Sequence, residues 1–146
     1  MNETLDDFAR RLQEQIFEDT RNAYGEKAYH RWLHPVYFGT IDAPDGYARV
    51  TGKCGDTMEI YLKFENGRVK EAAYTTDGCG SSHICGSYTA EMAMGKDPDE
   101  ITLISGEAIL KELERFPQDE QHCAFLAAET LQEALHVYMK RQTRGK

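Results

Sequence analysis

Apolar side chains recur at helical spacing at the start of the chain. Between residues 2 and 18 they fall on one side of a helix, with charged residues between them: Leu5, Phe8, Ala9, Leu12 and Ile16. This pattern predicts an amphipathic helix that packs on its own domain or on a partner. A second helix is predicted from about Ala23 to Leu33, because apolar positions again share one side and Pro35 follows. Residues 34–45 predict a loop.

The pattern then changes to strict alternation, which is typical of strands. Residues 46–52 predict a short strand. Residues 57–65 predict a stronger one, since apolar and polar side chains alternate along it. The dipeptide Asn66–Gly67 is the strongest hairpin signal in the chain. It leads to a third strand over about residues 68–75, where the blurred alternation near Glu71 predicts a bulge.

Helical spacing returns over residues 81–94, where Ser81 or Ser82 is predicted to cap the first turn and Gly95 to end the helix. Two short helices and a long final helix are predicted to begin near Asp97, Ser105 and Asp119. This order predicts an α+β fold in which a three-stranded antiparallel meander sheet is packed by N-terminal and C-terminal helices.

The predicted meander gathers residues that are distant in sequence. The end of the first strand, the start of the second and the end of the third share one edge of such a sheet. Cys54, Asp56 and Cys79 lie at those ends, and Cys123 lies on the inward face of the last helix near its N-terminus. Three cysteines on three separate elements predict a metal or cluster site that forms only when the domain folds.

Two residues are candidates for the fourth ligand of this site. Asp56 offers a hard oxygen and His122 offers an imidazole beside Cys123. A thiol must be ionised to bind metal, and the helix N-termini at Cys79 and Cys123 favour the thiolate. Cys85 lies within a helix at a spacing that matches no metal knuckle, so it is predicted to be a buried small apolar residue.

Composition narrows the function classes. The chain has 146 residues, enough for one domain with a core of its own, and a net charge of -8 from 17 Lys and Arg against 25 Asp and Glu. The acidic balance argues against a nucleic-acid partner, whose footprint is a basic patch. No apolar run reaches membrane-spanning length. The start of the chain has no leader pattern, and free thiols suit a reducing compartment, so a cytoplasmic location is expected.

Four segments occur together in an order that is specific to a known family: His34–Gly39, Cys54–Asp56, Asp77–Ser82 and His122–Cys123. With them the chain closely resembles the iron-sulfur cluster scaffold family known as IscU, which also forms the N-terminal domain of NifU. The resemblance covers most of the chain from about residue 24 to residue 138, and it implies the IscU/NifU-like fold. It divides the chain into an N-terminal extra helix (residues 1–22), the scaffold domain (23–141) and a basic C-terminal tail (142–146).

The resemblance implies a scaffold or carrier protein rather than an enzyme. Cys54, Cys79 and Cys123 would bind iron in a transient 2Fe-2S cluster, with Asp56 or His122 as the remaining ligand. A cysteine desulfurase would deliver the sulfur, other partners would supply iron and electrons, and apo-acceptor proteins would receive the cluster. The same thiolates bind zinc readily, so zinc is expected in the apo or as-purified form.

Two further candidate partners are an Hsp70-type chaperone and a second copy of the chain. Residues 113–119 stand where many IscU proteins carry a Leu-Pro-Pro-Val-Lys motif that an Hsp70-type chaperone recognises, and this chain lacks that motif. The sequence leaves open a homo-oligomer in which two copies share the cluster.

Two other functions compete with the scaffold function. A zinc-bound persulfide relay of the SufU type has a similar site, but that branch carries an insertion between its second and third ligand cysteines. Here only 44 positions separate Cys79 from Cys123, which favours the IscU type. A thiol redox or hydrolytic enzyme using Cys123 with His122 is disfavoured, because neighbours on one helical turn are poorly placed as nucleophile and base and no Cys-x-x-Cys motif is present.

Overall fold

The structure is a computed structural model, and it describes residues 3–144. Its elements are α1 (Leu5–Leu33), β1 (Gly46–Thr51), β2 (Thr57–Glu65), β3 (Arg68–Thr76), α2 (Gly80–Ala93), α3 (Pro98–Ile101), α4 (Gly106–Leu113), a 3-10 turn (Gln118–Glu120) and α5 (His122–Arg144). The predicted α+β fold is confirmed. Residues 1 and 2 of the predicted extra helix, and residues 145 and 146 of the predicted basic tail, lie outside the described residues.

The three strands form an antiparallel meander in the order β1-β2-β3. Successive side chains of a strand point to opposite faces, and on β2 the side chains of Met58, Ile60 and Leu62 are fully buried. Helices α2 and α5 pack against the sheet, α2 chiefly on β3 and α5 on β1 and β2. Helix α1 packs on α2 and α4. The core therefore lies between the sheet and the α2–α5 pair.

The bulge predicted near Glu71 lies one residue earlier. Lys63 of β2 pairs with Glu71 of β3, but the next residue, Phe64, pairs with Val69. Lys70 is therefore the extra residue of β3, which explains why the alternation is blurred at this point.

Helix α1 differs from the predicted pair of helices. The predicted gap at residues 19–22 is helical, and the break falls at Gly25, which has φ +82° and ψ 171°. The ring centroids of Phe17 and Trp32 lie 6.0 Å apart, whereas 15 positions along a straight helix would separate them by about 22 Å. The first part of α1 thus folds back along the second part. Glycine adopts this positive φ without the steric cost that a Cβ would bring.

The start of α2 also differs from the prediction. Cys79, with extended backbone angles, is the N-cap residue, and Ser81 and Ser82 lie inside the first turn. Most residues of α2 are buried, and many of them are small, which lets the helix approach the sheet closely. A Cβ on Gly86 would lie 2.5 Å from the Tyr74 ring of β3, and only glycine allows this approach.

The predicted starts at Asp97 and Ser105 are confirmed, whereas Asp119 lies in the 3-10 turn and the last helix begins at His122. Asp97 and Glu100 form a capping box on α3, and Ser105 caps α4 through the amide of Ala108. Helix α5 buries Cys123 in its first turn, together with the face that continues through Leu131. Within residues 3–144, no helix combines the length and the apolar character that crossing a membrane requires.

We expect Gly86→Ala to lower the free energy of unfolding by about 1–3 kcal/mol, because the added methyl group overpacks the contact between α2 and the Tyr74 ring. Urea unfolding followed by circular dichroism measures the change. Gly52→Ala is the matched control, since its Cβ would meet its nearest neighbour, Leu126, at an ordinary 3.5 Å. Equal stability of the two variants would contradict the expected overpacking.

Candidate metal centre

Three elements carry the candidate ligands. Cys54 and Asp56 lie in the turn between β1 and β2, Cys79 caps the N-terminus of α2, and His122 and Cys123 open α5. The turn begins after the pair Thr51 and Thr57, which closes the β1–β2 ladder. These side chains come together at one end of the sheet.

A group at the protein surface contains one exposed thiol, one half-buried carboxylate and one exposed imidazole. A ligand atom from each of Cys54, Asp56 and His122 lies within 4.8 Å of the other two. Two ligands of one tetrahedral ion lie about 3–4 Å apart. The three side chains therefore stand close to the spacing of a shared ion, and the two candidates for the fourth ligand lie in the same place.

Two serine hydroxyls connect this group to the other two cysteines. Ser81 Oγ lies 3.0 Å from Cys79 Sγ and 3.7 Å from Cys123 Sγ. The Ser82 hydroxyl donates to Asp56 Oδ2 at 3.2 Å and lies 3.5 Å from Cys123 Sγ. Asp56 therefore belongs both to the group at the protein surface and to the serine-linked group, and all five candidate ligands share one neighbourhood.

The cysteines differ sharply in exposure. Cys54 and Cys79 are exposed, while Cys123 is 1% exposed. Burial raises the pKa of the Cys123 thiol, and hydrogen bonds with Ser82 and Ser81 act in the opposite direction. At Cys123 the expected stabilisation of the thiolate by the helix N-terminus is thus outweighed by burial. Cys85 is fully buried in the core as predicted, and burial raises its pKa well above the usual value.

Two glycines make room for these contacts. A Cβ on Gly78 would lie 2.4 Å from Ser82 Oγ and 2.9 Å from Asp56 Oδ2. A Cβ on Gly80 would lie 2.6 Å from the indole nitrogen of Trp32. The crowding comes from the protein's own side chains, so glycine is required here before any cluster is considered.

A carboxylate and a phenol near the site were not predicted. The Tyr24 hydroxyl of α1 donates to Glu120 Oε2 at 2.6 Å, two residues before α5 begins. Burial raises the pKa of Tyr24, and the Glu120 carboxylate raises it further. No local pattern in the sequence pairs positions 24 and 120, so only the fold reveals this link.

His83 of α2 packs beside the loop that precedes β1. Its ring is half-buried, Nδ1 lies 2.9 Å from the Tyr74 hydroxyl, and its centroid lies 5.2 Å from that of Phe38. Burial lowers the pKa of His83. Its backbone amide donates to the Cys79 carbonyl at 3.2 Å, but among residues 3–144 its ring forms no hydrogen bond with a candidate ligand.

An open cleft of about 320 Å³ leads to the exposed thiol. Its lining combines the β1–β2 turn with one face of α5: Gly52, Lys53, Cys54, His122, Phe125, Leu126 and Glu129. Cys54 and His122 form part of its wall, so a reacting group on another protein can reach them from solvent.

This arrangement was compared with known proteins. The model of the NifU-like N terminal domain family matches residues 23–145. The chain belongs to this family. The recognition made from the four sequence segments is thereby confirmed.

Relatives and solved structures agree with this membership. The iron-sulfur cluster assembly scaffold protein IscU of Haemophilus influenzae is 33% identical over 125 residues, covering 82% of this chain and 98% of the relative. The iron-sulfur cluster assembly scaffold protein IscU 1 of Archaeoglobus fulgidus is 32% identical over 119 residues, covering 81% and 78%. The N-terminal NifU-like protein of Brucella abortus has a similar fold, with a TM-score of 0.66 at 19% identity, covering 84% of this chain and 98% of that one.

Differences in exposure predict the order in which the thiols react. In the metal-free protein at pH 8, iodoacetamide should modify Cys54 and Cys79 about tenfold or more faster than Cys123, because Cys123 is buried and its raised pKa leaves less thiolate. Mass spectrometry of timed samples measures the order. In urea the rates should converge, and modification of Cys123 first in the folded protein would contradict the prediction.

Proposed function

We propose that this protein is a scaffold that assembles a transient 2Fe-2S cluster and passes it to apo-acceptor proteins. Cys54, Cys79 and Cys123 supply the thiolates, and Asp56 or His122 supplies the remaining ligand. The observation that carries the proposal is the convergence of these side chains from three separate elements on one end of the sheet. The relatives named as scaffold proteins support it.

The donor set fits such a cargo. Iron-sulfur clusters are held chiefly by cysteine thiolates, and one oxygen or nitrogen ligand replaces a thiolate in more labile or electronically different sites. All five donors come from one chain, which supports the proposal that a single copy holds the cluster. Glycines at positions 78 and 80 keep the backbone around Cys79 close to its neighbours.

Exposure suits the delivery of sulfur. In the proposed step, an exposed thiolate attacks the outer sulfur of a persulfide on a cysteine desulfurase, a new S–S bond forms, and the desulfurase cysteine leaves as a thiolate. Cys54 and Cys79 are accessible for this attack, and Cys54 opens into the cleft. Reduction of the bound sulfur to sulfide takes two electrons per sulfur, which a separate reductant supplies. The protein itself catalyses no turnover.

Exposure suits release as well. Cys123 is buried and anchors the cargo, whereas Cys54, Asp56 and His122 lie at the accessible end. An acceptor thiolate can replace ligands at that end one at a time while Cys123 still holds the cluster. We propose direct transfer without an Hsp70-type chaperone, because residues 113–119 lack the recognition motif expected from the resemblance.

Anaerobic reconstitution with a cysteine desulfurase, iron and a reductant tests the proposal. We expect visible absorption typical of a 2Fe-2S cluster and nearly equal amounts of iron and acid-labile sulfide. Stoichiometric zinc with no cluster after reconstitution would instead support the zinc-bound persulfide relay. Turnover of a thiol substrate by Cys123 alone would support the enzyme alternative.

Replacement of single cysteines separates ligands from core residues. Cys54→Ser, Cys79→Ser and Cys123→Ser should each reduce the iron retained after reconstitution severalfold, because each removes a soft ligand. Cys85→Ser is the matched control, and it should keep the cluster while lowering the stability of the core. Loss of the cluster in the Cys85 variant alone would overturn the ligand assignment.

Asp56→Ala should hold a reconstituted cluster longer than the wild type. The substitution removes a hard oxygen ligand, which iron binds less firmly within a cluster than it binds thiolate, and leaves the thiolates in place. The rate of cluster transfer to an apo-ferredoxin, followed by circular dichroism, should fall severalfold. Equal or faster transfer by the variant would count against this role of Asp56.

A further inference from the structure

Two side chains compete for one ligand position. Asp56 and His122 both place a ligand atom within 4.8 Å of Cys54 and of each other. Distance therefore does not decide which of them completes a site that contains three thiolates. The contacts that hold each side chain in place do distinguish them.

Asp56 is tethered. The Ser82 hydroxyl donates to Asp56 Oδ2 at 3.2 Å and lies 3.5 Å from Cys123 Sγ. Ser82 is fully buried. Because Cys79 occupies the N-cap position, the Ser82 hydroxyl does not cap α2. Its two side-chain hydrogen bonds in the described part of the chain are both with candidate ligands.

The space around this tether is restricted. A Cβ on Gly78 would lie 2.4 Å from Ser82 Oγ and 2.9 Å from Asp56 Oδ2, so the backbone of Gly78 packs directly against the hydrogen-bonded pair. One carboxylate oxygen is held by the hydroxyl, and the other oxygen stays available to a metal ion. A buried donor that fixes a carboxylate in this way is the usual outer support of a metal ligand.

His122 has no comparable support. A histidine ligand almost always donates its second ring N–H to a carboxylate, a carbonyl or water, which fixes the tautomer and the ring orientation. Between residues 3 and 144, no protein group forms a hydrogen bond with the exposed His122 ring. The imidazole must therefore lose conformational entropy when it binds a metal ion. The Asp56 carboxylate loses less, because its hydrogen bond to Ser82 already restricts it in the folded protein.

We propose that Ser82 is a positioning residue that selects Asp56 over His122 as the non-thiolate ligand. This inference rests on the proposed function, since it assumes that the three cysteines bind metal together. Without the Ser82 hydroxyl, the Asp56 carboxylate turns toward solvent and His122 takes its place. Loss of a supporting hydrogen bond of this kind typically changes metal affinity by about 10-fold to 100-fold, which is enough to reverse the choice between two competing ligands.

Zinc provides a diamagnetic probe of this choice. Zn²⁺ is added anaerobically to the full-length apoprotein carrying ¹⁵N-labelled histidine, and the ring nitrogen shifts of His122 are recorded. In the wild type they should not change, while in Ser82→Ala they should move to the values of a zinc-bound imidazole. Asp56→Ala should give the same zinc-bound shifts, and Ser82→Ala with Asp56→Ala should give no further change, because both act on one contact.

Ser87→Ala is the matched control. Ser87 is also fully buried on α2, but its hydroxyl contacts the Val36 carbonyl and Arg31 rather than a candidate ligand. This variant should keep the wild-type His122 shifts even if it loses stability. Ser82→Thr, which keeps the donor, should also keep them. The ¹³C shift of the Asp56 carboxyl in the wild type is a second measurement that needs no variant, and it should move when zinc is added.

The outcomes separate the inference from the function it rests on. Ring nitrogen shifts of a zinc-bound His122 in the wild type would overturn the selection by Ser82. So would unchanged His122 shifts in Ser82→Ala if Asp56→Ala shows that His122 can bind zinc. An unmoved Asp56 carboxyl in the zinc-loaded wild type would overturn it too. If zinc failed to bind the three cysteines in the wild type, the proposed function itself would fail, and chemical modification of the thiols in the presence of zinc would reveal this independently.

Discussion

The pairing of β2 with both of its neighbours fixes the positions of the candidate ligands in the β1–β2 turn and after β3. Thr51 pairs with Thr57 at the end where β1 turns into β2, and Met58 of β2 pairs with Thr76 at the end of β3. The Thr57 amide donates to Asp77 Oδ1 at 2.7 Å, which ties the segment leading to Cys79 to the start of β2. A slip of one residue would turn the buried face of β2 toward solvent and separate the two ligand-bearing turns. The apolar core therefore holds the register that the site requires.

The candidate ligands of this site differ in burial. Its deepest thiol, Cys123, is buried, and burial raises its pKa, while Cys54 and Cys79 are exposed and Cys54 opens into the cleft. A permanent cofactor is better served by complete burial, since solvent access promotes ligand exchange. A cargo that must enter and leave is better served by one anchored end and one accessible end. The distribution of burial across the ligands is thus the physical feature that best matches a scaffold.

Much of this arrangement follows from the sequence because it depends on local periodicity. The strict alternation along Thr57–Glu65 and the turn at Asn66–Gly67 define the meander, and the meander alone predicts that Cys54, Asp56 and Cys79 meet. Features that depend on tertiary contacts were missed or misplaced. The break in α1 falls at Gly25, where the chain must fold back. The raised pKa of Cys123 depends on what covers it, which the placement near a helix N-terminus does not reveal.

The serines of α2 show why local rules fail at this site. A serine beside a glycine at the start of a helix is usually a cap, because its hydroxyl satisfies a free backbone amide. Here Cys79 takes that position without a side-chain cap bond, and the hydroxyls of Ser81 and Ser82 turn instead to the cysteines and Asp56. The helix gives up a stabilising cap, and the candidate ligands gain buried donors. Such a departure from local preference is expected where a functional site constrains the chain, and it locates the supports of the metal centre on the first turn of α2.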